Sequence, residues 1–134
     1  MKAATKIHNH HRKIAHQKGE VIVDFNLTKE QAELQQWARN FAKEKFSEKA
    51  YTWVKNGEVP WENARILSEH GLMGMTIPEE DGGQGLSLIE AIIVMEEIAK
   101  VCPNTADMFQ VGNFGAIRQL AAYGSKELKD KTLP

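Results

Sequence analysis

The sequence contains a single cysteine, Cys102, so no disulfide can form within the chain, and a reducing compartment is the simpler interpretation. It also lacks a long apolar run, because the longest, residues 91–95, is far shorter than the roughly 20 residues that a membrane-spanning helix needs. Neither sign of charge dominates, since 17 Lys and Arg nearly balance 18 Asp and Glu. We therefore expect neither a membrane nor nucleic acid as a partner.

Residues 1–23 differ in composition from the rest. No acid precedes Glu20, and four of the five histidines lie in this segment: His8, His10, His11 and His16. A secretory signal would need an apolar stretch of about 7–15 residues, and a mitochondrial leader would be richer in Arg and Ser. We expect a disordered extension, followed by a domain over residues 24–134. No cysteine or carboxylate lies near enough to complete a site with the histidines, so adventitious metal affinity is expected and no metal site is predicted.

Helix signals are dense from Thr28 onward. A capping box over residues 28–31 starts a predicted helix of about five turns, in which Leu34, Ala38 and Phe41 recur at three-and-four spacing. Four more helices are predicted to begin at Pro60, Ser87, Asn104 or Thr105, and Ser125. Residues 91–95 are also compatible with a strand, but the capping box over 87–90 favours a helix. The predicted class is all-α, a bundle of about five helices.

Several residue patterns have a plain structural interpretation. The glycines of residues 82–85 lack the order and the preceding strand of a phosphate-binding motif, so we predict a turn between helices. Glu96 and Glu97 point about 100° apart on a helix and cannot converge on one substrate atom, so a solvated or bundle-bridging face is favoured over an acid/base pair. Packing in the core is expected for four residues: Trp37, Trp53, Trp61 and Cys102.

Five sequence segments, in order and at matching spacing, resemble the acyl-CoA dehydrogenase family. They are FNLTKEQ (25–31), ARNFA (38–42), GLMGMTIPEEDGGQG (71–85), EEIA (96–99) and YGSKELKDKTLP (123–134). The resemblance covers residues 24–134 and implies the family's amino-terminal helical domain. The chain departs from the family at Asp81 and Thr132, where an aromatic residue is common. It also stops at Pro134, where family members continue into a β domain, so we expect the middle β and carboxy-terminal helical domains to be absent.

The resemblance implies an oxidoreductase that uses FAD to place a double bond between the α and β carbons of an acyl-CoA thioester. Electrons would pass to an electron-transferring flavoprotein, and the complete enzyme would be a homo-oligomer in the cytoplasm, or in the mitochondrial matrix of a eukaryote. The family's catalytic base lies in the last domain, and most flavin contacts lie in the middle and last domains. We therefore predict no catalytic residue in this chain and no activity from it alone.

By resemblance, the fourth predicted helix helps to wall the distal end of the acyl pocket. Its candidate substrate-binding residues recur at three-and-four spacing: Asp107, Gln110, Val111 and Phe114. Packing within the core is the alternative for these residues. Gly112 and Gly115 on the same helix predict a close approach by another backbone or by a ligand. For the whole chain, the alternative is a stand-alone helical module that binds a partner and catalyses nothing.

Overall fold

The computed structural model describes residues 25–133 and, before them, the backbone of residues 16–17 and 20–21. These two pairs form antiparallel strands β1 (His16–Gln17) and β2 (Glu20–Val21). The rest of the predicted extension, residues 1–23, lies outside the described residues, as do its histidine side chains. The described part contains seven α-helices: α1 (Lys29–Phe46), α2 (Ala50–Asn56), α3 (Trp61–Glu69), α4 (Leu88–Ala99), α5 (Pro103–Asn113), α6 (Ala116–Tyr123) and α7 (Lys126–Thr132).

The all-α class is confirmed, although the short strands β1 and β2 were not expected. Within the described residues, the structure has two helices more than the five that were predicted. One is the short α2, and the other arises because the predicted fourth helix breaks into α5 and α6. The break lies where Phe114 adopts an extended backbone and Gly115 has a φ of 61°. The start of α5 also differs from the prediction, because Cys102 is its N-cap.

Both predicted capping boxes are present. The Thr28 hydroxyl accepts a hydrogen bond from the Gln31 amide at 3.2 Å, and the Gln31 side chain accepts one from the Thr28 amide at 3.1 Å. Ser87 and Glu90 make the same reciprocal pair at the start of α4. Each box satisfies two amides that have no partner within the helix. The local sequence therefore determines where α1 and α4 begin, and α1 runs for the predicted five turns.

The core lies where α4 packs against α1 and α5, which places α4 at the centre of the bundle. Its buried residues include Phe41, Phe46, Leu67, Val94, Ile98, Cys102 and Phe109. The apolar surface of α4 is not wholly covered, because Leu88, Ile89 and Ile92 are each about two-fifths exposed. None of the helices in residues 25–133 combines the length and apolar character that a bilayer crossing requires.

The prediction that the tryptophans are core residues is wrong for two of the three. Trp61 is 71% exposed, because it opens α3 on the outer side, and Asn63 takes the inward position instead. The Asn63 amide is buried and donates to the Thr105 hydroxyl at 2.7 Å. Trp37 is also exposed, although its ring stacks on Phe41. Trp53 is half-buried and packs against the core.

An ion pair between the buried Glu97 carboxylate and the part-exposed Arg39 guanidinium joins α1 to α4. The Glu97 carboxylate accepts two hydrogen bonds from the Arg39 guanidinium, at 3.1 and 3.2 Å, and a third from Lys100 at 2.7 Å. The bonds from Arg39 lower the pKa of Glu97 below its ordinary value of 4.5; burial opposes this and Lys100 reinforces it. Glu97 is therefore a bundle-bridging residue, as predicted, while Glu96 faces solvent.

We expect Glu97→Gln to lower the free energy of unfolding by about 1.5–3 kcal/mol at pH 7, the range for hydrogen bonds to a charged group. Because the folded-state pKa of Glu97 is depressed, its contribution is complete above the ordinary value of 4.5 and is lost as the pH falls through the folded value. Urea unfolding between pH 7 and pH 3 should show the two proteins converging in acid. Glu96→Gln is the matched control and should change little. A constant difference across this pH range would contradict the assignment.

Candidate functional site

A cleft of about 490 Å³ lies between the carboxy-terminal half of α5 and the loop that follows α3. Its wall includes Ala64 of α3, Met73 of the loop, Val111 and Gly112 of α5, and Ile117 of α6. The loop is positioned by the end of α3, where the amides of Gly71 and Leu72 bond back to the carbonyls of Ser68 and Leu67. Because most of the lining residues are apolar or glycine, the cleft is largely apolar and is lined in part by glycine backbone.

Gly112 confirms the predicted close approach on α5. A Cβ at this position would lie 2.6 Å from the Cε of Met73, and the Gly74 amide donates to the Gly112 carbonyl at 2.9 Å. The absent side chain lets the loop lie directly on the helix. Gly115 differs, because a Cβ added there would meet no atom within 4 Å, and the residue is instead required by its positive φ. Within residues 25–133 no backbone lies close to Gly115, so a close approach by a ligand there stays a prediction.

The glycine-rich part of the loop forms a turn, as predicted. It follows a 3₁₀ turn over Glu79–Asp81, and Gly82 and Gly85 have positive φ. Every amide from residue 82 to 85 donates to a carbonyl of the same loop. Because none of these amides is free, this turn does not fit the pyrophosphate of a dinucleotide cofactor such as FAD.

The predicted site residues lie in two environments. Asp107, Gln110 and Val111 occupy the exposed face of α5, and the side chains of Asp107 and Gln110 make no hydrogen bond to any residue in the described range. Val111 is 68% exposed and is the one member of the predicted set that lines the cleft. Its neighbours in the cleft, Met73 and Ile117, were not predicted as site residues.

Phe114 was predicted to share a side of one continuous helix with Gln110, and this geometry is wrong. Phe114 follows the last residue of α5 and has an extended backbone, so helical spacing does not apply to it. Its side chain is half-buried and packs against the core, with its ring centroid 6.4 Å from that of Phe109. An asparagine and a glycine flank Phe114 in the sequence, a pattern that is typical of a helix end.

His70 and Cys102 have structural roles. His70 ends α3, where its Nδ1 lies 2.8 Å from the Ile66 carbonyl oxygen and its ring contacts Phe41 edge-on. Cys102 is buried and accepts a hydrogen bond from the Thr105 hydroxyl, which confirms a packing role. Across residues 25–133, no group of His, Cys, Asp and Glu side chains could hold a metal ion.

Comparison with known proteins gives consistent matches. The family model for the acyl-CoA dehydrogenase N-terminal domain matches residues 28–134. The 3-sulfinopropanoyl-CoA desulfinase of Variovorax paradoxus is 43% identical over 103 residues, covering 77% of this chain and 26% of the relative. The structure of the glutaryl-CoA dehydrogenase glutaryl-CoA complex superposes with a TM-score of 0.71 and 37% identity, covering 81% of this chain and 28% of the other.

A second solved structure, that of the electron transferring flavoprotein of Acidaminococcus fermentans, contains a chain that matches with a TM-score of 0.73 and 27% identity. This match covers 82% of the present chain and 29% of the other. The present chain thus spans less than a third of the length of the proteins it matches. The family model covers most of the sequence and agrees with the all-α fold. The chain therefore belongs to the acyl-CoA dehydrogenase family and corresponds to its amino-terminal domain.

Proposed function

We propose that this chain is the amino-terminal helical domain of an FAD-dependent acyl-CoA dehydrogenase, which introduces a double bond between the α and β carbons of an acyl-CoA thioester. The observation that carries the proposal is the match of the family's N-terminal domain to residues 28–134. The likeness to a glutaryl-CoA dehydrogenase that was solved with glutaryl-CoA supports an acyl-CoA substrate. The domain extends over residues 24–134, and residues 1–23 precede it as an extension.

Within that enzyme, the outer face of α5 and the residue that follows it would wall the distal end of the acyl pocket. Support comes from Asp107, Gln110 and Val111, which lie exposed on one face of α5. Val111 offers apolar surface beside the cleft, and Phe114 adds an aromatic ring at the end of the helix. The Gln110 amide and the Asp107 carboxylate would distinguish a polar acyl end from an aliphatic one, because buried polar groups require partners.

The flavin would be held by other domains, since the glycine turn of this chain offers no free amide to a phosphate. The catalytic base would also lie outside this chain. An electron-transferring flavoprotein as electron acceptor is supported by the likeness to a chain in the structure of such a flavoprotein. The enzyme would be a cytoplasmic homo-oligomer.

The exposed apolar residues of α4 agree with this arrangement. Leu88, Ile89 and Ile92 lie at the start of the central helix, and each remains about two-fifths exposed. Apolar side chains that are grouped on one element often mark an interaction site. We propose that other domains or subunits of the enzyme cover them.

The test compares the chain alone with the holoenzyme that contains it. After purification in the presence of FAD, the chain alone should retain no stoichiometric flavin and should reduce no electron acceptor with any acyl-CoA. The holoenzyme should show a flavin spectrum that acyl-CoA bleaches. Absorbance near the flavin bands and reduction of an electron-transferring flavoprotein are the two measurements.

Two results would contradict the proposal. A stoichiometric flavin on the chain alone would show that its own residues form the cofactor site. A holoenzyme whose flavin is reduced by no acyl-CoA, from short to long, would refute the reaction class. Binding of acyl-CoA by the chain alone, without any flavin, would instead favour a stand-alone binding module.

A further inference from the structure

Asn113, the last residue of α5, joins this helix to the loop on the opposite side of the cleft. Its side chain is completely buried. Oδ1 accepts a hydrogen bond from the Met75 amide at 2.7 Å, while Nδ2 donates to the carbonyl oxygens of Leu72 at 2.7 Å and Phe109 at 2.9 Å. Both amide hydrogens and the amide oxygen therefore have partners.

The backbone around Asn113 strengthens this connection. Its carbonyl oxygen accepts a hydrogen bond from the Thr76 hydroxyl, and the preceding residue, Gly112, accepts one from the Gly74 amide. Residues 72–76 are thus bound to the last turn of α5 at four points. Because a buried amide is costly to leave without partners, the loop and the helix end cannot separate without losing several bonds together.

The position of this connection matters because it joins two segments that line the cleft. Met73, on the bound loop segment, and Val111, on the last turn of α5, both line the cleft. Phe114 follows Asn113 directly, so the bond from Asn113 to Phe109 also fixes where the helix ends and where the Phe114 ring begins. One side chain therefore sets the relative positions of three apolar residues.

We infer that Asn113 is a positioning residue for the acyl pocket: it holds Met73, Val111 and Phe114 at the spacing that determines which acyl chains fit. The inference rests on the proposed function of the α5 face. Asn113 contacts no substrate itself. It acts through the 72–76 segment and through the end of α5, so its loss should change substrate preference more than it changes turnover of the substrates that still fit.

The test uses the holoenzyme and compares kcat/KM for octanoyl-CoA with that for butanoyl-CoA. Asn113→Ser removes at least one of the three side-chain bonds, because a hydroxyl has a single donor, and should change this ratio by about fivefold or more, within the range that a hydrophobic pocket controls. Asn63→Ala is the matched control, since it also removes a buried amide, but one that bonds to Thr105 at the far end of α5. The control should lose stability and keep the ratio within about twofold.

The Phe114→Ala variant tests the acyl-pocket assignment separately from the positioning role of Asn113. If Phe114→Ala changes the ratio and Asn113→Ser does not, the positioning role is refuted and the pocket assignment stands. If neither variant changes the ratio, the pocket assignment fails and the positioning role fails with it. A uniform loss of kcat at every chain length in Asn113→Ser, with an unchanged ratio, would show a purely structural residue and would also refute the inference.

Hydrogen exchange in the unmodified protein provides a test that does not depend on folding of the variants. The amides of Gly74 and Met75 should exchange with opening free energies like that of the Phe114 amide, which bonds to Gln110 at the end of α5. Protection factors within about tenfold of one another would indicate a single cooperative unit. Exchange of Met75 more than about a hundredfold faster than that of Phe114 would show an independent loop and overturn the inference.

Discussion

Replacing Gly83 with alanine should lower the melting temperature of the domain by about 10 °C or more, corresponding to at least about 3 kcal/mol for a chain of this size. A Cβ at this position would lie 2.5 Å from the Cβ of Ile77 and 2.6 Å from the carbonyl oxygen of Gly74, and closer still to the carbonyl oxygen of Ile77. Two of these atoms belong to the backbone and cannot rotate away. The loop must therefore move as a whole, and the hydrogen bonds that close its turn must break.

Gly57→Ala is the matched control for this prediction. Gly57 has a φ of 64°, which an alanine adopts at a cost of about 1–2 kcal/mol, but no atom lies within 4 Å of the added Cβ. The two variants separate conformational strain from steric exclusion, because Gly83 has no positive φ. Thermal unfolding followed by circular dichroism measures both. A Gly83→Ala protein as stable as Gly57→Ala would mean that the loop packs loosely, and the cleft wall that it forms would then be poorly defined.

The features that were predicted correctly depend on residues that lie close together in the sequence. The capping boxes at Thr28 and Ser87 each need only four residues. The apolar spacing of Ala38 and Phe41 likewise follows from the helical period. Such local signals were sufficient to locate most helices.

The break between α5 and α6 has a local signal, Asn113 and Gly115 on either side of Phe114, but helical periodicity alone does not use it, and the contacts that hold the end of α5 are not local. The end of α5 is held by Asn113, whose partners Leu72 and Met75 lie about 40 positions earlier in the sequence. Helical periodicity alone predicted that the helix continues through Phe114. The same limitation explains Trp61, since the inward position on α3 belongs to Asn63 through its bond to Thr105. In both cases a polar contact between distant segments determines where a helix ends or which residue points inward, and the hydrophobic pattern alone predicts this incorrectly.

The break changes which residues can act together in the proposed acyl pocket. A continuous helix would have placed Gln110 and Phe114 one turn apart on one side. Instead, Val111 lies beside Met73 and Ile117, and Phe114 turns toward Phe109 and the core. Phe114 therefore has one part packed in the core and one part exposed at the end of the helix, and it remains the largest apolar side chain of the predicted set.

Shortening Phe114 to alanine should change the acyl-chain preference of the holoenzyme toward longer substrates. The lost ring would open room for several methylenes, each worth about 0.8 kcal/mol when buried. Longer acyl-CoAs should then gain in kcat/KM relative to shorter ones by up to a few tens-fold, the range typical of a hydrophobic pocket. The measurement is kcat/KM for a series from butanoyl-CoA to dodecanoyl-CoA.

Phe109→Leu separates this effect from simple loss of core packing. Phe109 is fully buried and its ring adjoins that of Phe114, so its shortening should lower the melting temperature and leave the chain-length profile unchanged. Gln110→Leu tests the exposed face of α5 in the same assay, and it should favour purely aliphatic substrates if the amide faces the acyl tail. If Phe114→Ala only lowers the melting temperature, as Phe109→Leu should, then Phe114 is a core residue and the acyl pocket lies elsewhere. Because the exposed Gln110 side chain makes no hydrogen bond within the described residues, a change that Gln110→Leu causes in the profile would support contact between this face of α5 and the acyl chain.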